Sequence, residues 1–175
     1  MQKSILFGIC LMCSLTFASP SHALTDNSVA FSSGVPSTEQ NKDIESLDLS
    51  LERQVWVLGD DFAHVGFSVR MGKLTLDEES TLRTGVGTFI AKDVGIFTFS
   101  VPMGLIWLDQ TQFGANELHT KDYGGPLQFF YGAEMAVKMS RHWQLFYRYE
   151  HMSNGGRYEF NPTLNSHNLG FRIQF

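Results

Sequence analysis

His151 and Ser153 stand two residues apart at the end of the run Trp143-Gln144-Leu145-Phe146-Tyr147-Arg148-Tyr149-Glu150-His151-Met152-Ser153. A serine hydroxyl is a weak nucleophile until a base takes its proton, and an imidazole, with an ordinary pKa of about 6.5, suits that task near neutrality. In an extended chain, residues i and i+2 share a face with Cα atoms roughly 6–7 Å apart, so the two side chains can lean together. Asn154 and Gly155 follow directly, and their amide groups are candidate donors to the oxyanion of an acyl-transfer intermediate. Gly155-Gly156 lets the backbone approach a substrate closely. The chemistry implied is nucleophilic attack by an activated serine.

The element that positions the pair is an alternating strand. Trp143, Leu145, Tyr147 and Tyr149 lie on the face of His151 and Ser153, and Gln144, Arg148 and Glu150 lie on the other. A base and a nucleophile therefore emerge on a greasy face, where lipid is a natural substrate.

The same period of two recurs along the chain. Phe97, Phe99, Val101, Met103, Leu105 and Trp107 share one face; Leu127, Phe129, Tyr131, Ala133, Met135, Val137 and Met139 share another, against Gln128, Gly132, Glu134 and Lys138. Leu47, Leu49 and Leu51 alternate with polar residues, as do Val65, Phe67, Val69 and Met71 and the closing Leu169, Phe171, Ile173 and Phe175. Alternation fits these runs and helical spacing does not. With Leu82–Ile90 and a weak first strand at Ser28–Val35, the pattern predicts about eight strands. Turn-rich stretches separate them at 34–41, 59–61, 75–80, 92–95, 109–125, 140–142 and 154–167.

Lys3, the apolar run Ile5–Phe17 and Ser21-His22-Ala23 read as a secretory signal over residues 1–23, too short to span a bilayer as a helix, which takes about 20 residues. Residues 24–175 then form a single domain. Both cysteines, Cys10 and Cys13, fall within the signal, so the exported part has no thiol chemistry. A net charge of −5 with scattered cations gives no nucleic-acid footprint. His64, His119, His142 and His167 show no metal-ligand spacing and read as rim or loop residues. No metal or cofactor is expected.

A soluble β-sandwich would alternate as well. Against it stand the charges on the polar face (Arg70, Arg83, Glu134, Lys138, Arg148, Glu150, Arg172), which can pair inside a narrow barrel, and the aromatics on the apolar face (Trp56, Trp107, Tyr131, Trp143, Tyr147, Tyr149), which suit membrane-interface girdles. The expected fold is an all-β, eight-stranded antiparallel transmembrane barrel of the bacterial outer membrane. A sheet in lipid must close, and eight strands enclose an interior filled by side chains, which argues against transport.

His151-Met152-Ser153-Asn154-Gly155, then Asn161-Pro162-Thr163-Leu164-Asn165-Ser166 and the closing Leu169-Gly170-Phe171-Arg172, resembles the lipid A 3-O-deacylase (PagL) family. The family pattern is His-x-Ser-Asn on the penultimate strand, an Asn-Pro loop and a final strand; the specific match covers about the last 30 residues. The resemblance implies an outer-membrane esterase that hydrolyses the acyl chain at position 3 of lipid A, with His151 as general base and Ser153 as nucleophile. Where the family carries a glutamate to orient the imidazole, this chain has Asn165; Glu159 is the nearest alternative carboxylate. An amide can fix the tautomer but stabilises an imidazolium less than a carboxylate does. Arg141, Arg148 and Arg157 are candidates to meet lipid A phosphates. The implied partners are lipopolysaccharide and outer-membrane lipids, with the protein a monomer or homodimer. The rival readings are a non-enzymatic structural barrel and an acyltransferase that moves a phospholipid chain onto lipid A.

Overall fold

A computed structural model describes residues 27–37, 44–60, 62–114 and 120–175. The expected signal over 1–23 lies outside them, as does His119. Eight strands, β1 (Asn27–Pro36), β2 (Ile44–Leu58), β3 (Ala63–Leu76), β4 (Glu79–Val94), β5 (Phe97–Leu108), β8 (Leu127–Lys138), β9 (Trp143–Ser153) and β10 (Thr163–Gln174), pair antiparallel in chain order. Pairing of β1 with β10 closes the barrel, so no strand edge is left for lipid to meet. The connection from β5 to β8 carries two short strands of its own, β6 (Gln112–Phe113) and β7 (Lys121–Asp122). Among the described residues no helix is long and apolar enough to cross a membrane.

Exposure inverts the order of a soluble protein. Phe67, Val69 and Met71 are 50%, 55% and 59% exposed, while Arg70 between them is 4% exposed. The outward residues of β5, β8 and β9 follow the same rule. Apolar side chains belong outside only if the surroundings are hydrocarbon.

The charges expected to pair inside do so. Arg70 bonds both carboxylate oxygens of Glu150, Arg83 grips Asp48, Arg148 bonds Glu134, and Arg172 bridges Glu52 and Glu134. Guanidinium groups also lie over rings, Arg70 on Phe130 and both Arg148 and Arg172 on Phe146. Buried charges are tolerable because each has an opposite partner and directed hydrogen bonds. Near the rim bearing Gly59, Phe62 and residues 95–96 and 139–142 the interior opens into a polar cavity of about 190 Å³ lined by His64, Asp93, Lys138 and Glu134 among others.

The two rims differ. The short connection from Leu58 to Ala63 and the turns at 95–96 and 139–142 share one rim with Asn27 and Phe175, whose backbones hydrogen-bond each other. The described parts of the β5–β8 connection, 109–114 and 120–126, and the connection 154–162 lie at the other rim, which is the extracellular side in barrels of this kind. There the described parts of the β5–β8 connection fold inward: Phe113 and Tyr123 stack and join Ile44, Leu74, Ile106, Leu108, Phe130, Met152 and Leu164 in an apolar plug. Burial pushes the Tyr123 phenol up from its ordinary range and keeps it neutral.

Strands run further than expected into several turn-rich stretches: β1 reaches Pro36 in 34–41, and β4 reaches Val94 in 92–95. The 75–80 stretch narrows to Asp77-Glu78, with Asp77 in the left-handed region at φ 56°. The stretch 154–167 ends at Pro162, because β10 already begins at Thr163. In that first part of β10 the outward residues, Asn165 and His167, are as polar as the inward Ser166 and Asn168. The apolar-polar alternation that marks a strand is therefore missing there.

Candidate active site

β9 reaches the long-loop rim at His151, Met152 and Ser153. Met152 points inward, 1% exposed, into the apolar plug, so the alternating pleat turns His151 and Ser153 outward. In register, His151 lies between Tyr131 of β8 and Asn165 of β10, and Ser153 lies between Phe129 and Thr163. The imidazole is held from both sides. Its Nδ1 is 2.6 Å from Asn165 Oδ1, and its ring centroid is 4.8 Å from that of Tyr131. Asn165 Oδ1 can only accept, so Nδ1 carries the proton and Nε2 keeps its lone pair. That is the tautomer a general base needs.

Ser153 is 8% exposed, well below its outward neighbours on β9. No hydrogen bond joins it to His151 among the described residues, so the structure brings His151 and Asn165 together and leaves His151 and Ser153 neighbours on one face but unbonded. Such bonds often tighten only when substrate is bound.

Asn154 is wholly buried, and its donors are already committed. Its backbone N–H donates to Asn161 Oδ1 at 2.9 Å; its side-chain amide donates to the Phe160 and Tyr123 carbonyls at 2.8 and 3.2 Å. Its Oδ1 accepts the Gly156 N–H at 2.9 Å. As a direct oxyanion donor Asn154 is displaced by this bonding, and it is instead the knot that ties the 154–162 loop to the barrel lid. Tyr158 tightens the same junction: its hydroxyl accepts the Leu127 N–H, and its ring fills the space beside Gly125. Gly155 and Gly156 sit at φ 65° and 75°, where only glycine is unstrained. A Cβ on Gly155 would also stand 3.2 Å from the Phe129 ring. The Gly155 N–H has no partner among the described residues. Asn161 Oδ1 is fixed by the Asn154 N–H, and its NH₂ has no partner among the described residues; its place seven residues past Asn154, in a loop, gave no sequence signal of that orientation.

Of the three arginines, Arg148 is removed from lipid by its inward direction and its ion pair with Glu134. Arg141 is on the short-turn rim. Arg157 is exposed on the loop that follows Ser153. Glu159, on the same loop, is also exposed, and Asn165 is the hydrogen-bond partner that His151 has. His167, expected at a rim or in a loop, lies within β10 instead, bonded to Tyr147. Among the described residues no three His, Cys, Asp or Glu side chains gather into a metal site.

The family model for "Lipid A 3-O-deacylase (PagL)" matches residues 85–174, which run from within β4 to the end of β10 and take in every site residue above. The chain belongs to the PagL family. Among solved structures, a crystal structure of the outer membrane enzyme PagL is 15% identical, with a TM-score of 0.61, over 85% of this chain and 98% of that one. The N-terminal β-barrel domain of Pseudomonas aeruginosa OprF matches at 12% identity and the same TM-score of 0.61, over 86% and 98%. A de novo designed transmembrane β-barrel matches at 13% identity and a TM-score of 0.54, over 88% and 98%. At such identities these neighbours speak for the barrel alone; PagL membership rests on the family model. No curated protein sequence matches the chain. A PagL-family barrel with an apolar outer wall is a protein of the Gram-negative outer membrane, and its family is one of lipid A deacylases.

Proposed function

We propose that the protein is a lipid A 3-O-deacylase that hydrolyses the ester at position 3 by a serine mechanism at the outer rim. The observation that supports this most is the His151–Asn165 hydrogen bond on the lipid-facing wall, since it leaves Nε2 free to accept a proton beside Ser153. An export signal over residues 1–23 fits delivery to that membrane. The glucosamine headgroup sits at the long-loop rim and the acyl chain runs down the apolar wall.

Ser153 Oγ attacks the ester carbonyl while His151 Nε2 takes its proton. The negative charge on the carbonyl oxygen meets the Gly155 N–H, with the Asn161 NH₂ as a second donor. Collapse breaks the ester bond, and His151 returns the proton to the departing sugar hydroxyl. Water then enters, gives a proton to His151, attacks the acyl-serine and releases the free fatty acid, with the proton returning to Ser153. Asn165 holds the imidazole in register throughout. Arg157, on the same loop, is placed to meet a lipid A phosphate.

Expression in a Gram-negative host of defined lipid A, followed by mass spectrometry of the lipid A, tests the reading. Loss of one hydroxyacyl chain supports it. Gain of a chain indicates an acyltransferase, and an unchanged spectrum indicates a structural barrel.

A further inference from the structure

His151 becomes a cation when its Nε2 takes the Ser153 proton, and the surroundings decide what that charge costs. Asn165 fixes the ring but is neutral, and among the described residues no carboxylate pairs with His151. Its neighbours on the outward face of β9, Tyr149 and Ser153, are uncharged, and Glu150 turns inward to Arg70. A lipid-facing wall offers little water to solvate an imidazolium, so an uncompensated charge there is costly.

Tyr131 is the group set against that charge. It stands directly opposite His151 across β8 and β9, with Met103 of β5 on its other side. Its side chain is 57% exposed on the outer wall, so the apolar plug does not account for its place. The ring centroid is 4.8 Å from that of the imidazole, and the two planes meet at 35°, nearer to parallel than to edge-on. A cation within about 6 Å of an aromatic centroid, over the ring face, is attracted by the negative potential there. A neutral imidazole feels that potential far less. The interaction therefore strengthens as the proton moves, which is the condition for raising kcat beyond mere binding.

We infer that Tyr131 is a positioning residue acting through His151: its ring face stabilises the imidazolium and supplies the negative potential that the neutral Asn165 amide lacks. The inference rests on the deacylase reading and deepens it. The test follows fatty acid release from detergent-solubilised lipid A by purified barrels, each shown to be folded by heat-modifiable migration. Tyr131→Leu keeps the wall apolar but removes the ring. It should lower kcat about fivefold to tenfold with little change in KM, the scale of one cation–π contact. Tyr131→Phe keeps a ring face without the hydroxyl and should stay within about twofold of wild type. With Asn165→Glu in place a carboxylate already offsets the charge, so adding Tyr131→Leu should cost about twofold or less. Wild-type kcat in Tyr131→Leu, an equal loss in Tyr131→Phe, or the same loss from Tyr131→Leu with and without Asn165→Glu overturns the role. Wild-type protein inactive on lipid A would instead contradict the deacylase reading, and this inference with it.

Discussion

The His151 imidazole and the Asn165 amide face each other in direct register across β9 and β10, Nδ1 to Oδ1 at 2.6 Å. An amide fixes the same tautomer that a carboxylate would, but adds no negative charge to stabilise the imidazolium formed during attack. Asn165→Glu should therefore give equal or higher turnover. Asn165→Ala should lower kcat roughly 10–100-fold, the cost of an unoriented base, with little change in KM. Steady-state release of fatty acid from detergent-solubilised lipid A reads both; full activity in Asn165→Ala would count against the orienting role.

Of the five hydrogen bonds that Asn154 makes or accepts, four lie within the 154–162 loop and one, to the Tyr123 carbonyl, ties that loop to the β5–β8 connection. Asn154→Asp keeps the acceptor for Gly156 N–H but turns a carboxylate toward the Tyr123 and Phe160 carbonyls. The expected result is a loop at 154–162 that proteases cut faster, together with lower activity. A loss of activity with unchanged proteolysis would point to a direct role in the chemistry instead.

Gly155 and Gly156 separate two kinds of constraint. Both have positive φ, but a Cβ on Gly156 meets nothing within 4 Å, while one on Gly155 meets the Phe129 ring. Alanine in the left-handed region costs about 1–2 kcal/mol. Gly155→Ala should accordingly impair hydrolysis more than Gly156→Ala, by about tenfold. Equal effects would mean that the Phe129 contact is immaterial.

Inside the barrel, Glu134 serves both Arg148 and Arg172. Glu134→Gln leaves two buried guanidinium groups under-compensated, and removing one partner of such a network costs about 3–5 kcal/mol. The Lys138–Asp93 pair is partly exposed at the cavity mouth, so Asp93→Asn should cost only about 0–1 kcal/mol. Urea unfolding followed by heat-modifiable migration compares the two; similar midpoints would contradict the interior network as a source of stability.

The barrel was legible because most strands alternate strictly, with outward Phe, Val and Met and inward charges. That alternation fails where the wall carries the site. Asn165 and His167 make the start of β10 polar on both faces, so it reads as loop. The partners of the inward charges were also beyond reach, since pairs such as Arg70–Glu150 depend on the barrel closing. His151, Ser153 and Asn165 could be named from spacing and resemblance. The inward turn of Asn154 could not, because the reversal of the chain after Ser153 is a matter of loop geometry and not of pattern.

Hydrolysis by Ser153 is the central claim, and purified protein tests it most directly. Wild type and Ser153→Ala are incubated with lipid A in detergent, and the products are read by mass spectrometry. Wild type should release one 3-hydroxy fatty acid, and Ser153→Ala should do so at a rate at least about 10³-fold lower, the scale of removing a catalytic nucleophile. A folded Ser153→Ala barrel that still deacylates at a wild-type rate would contradict it.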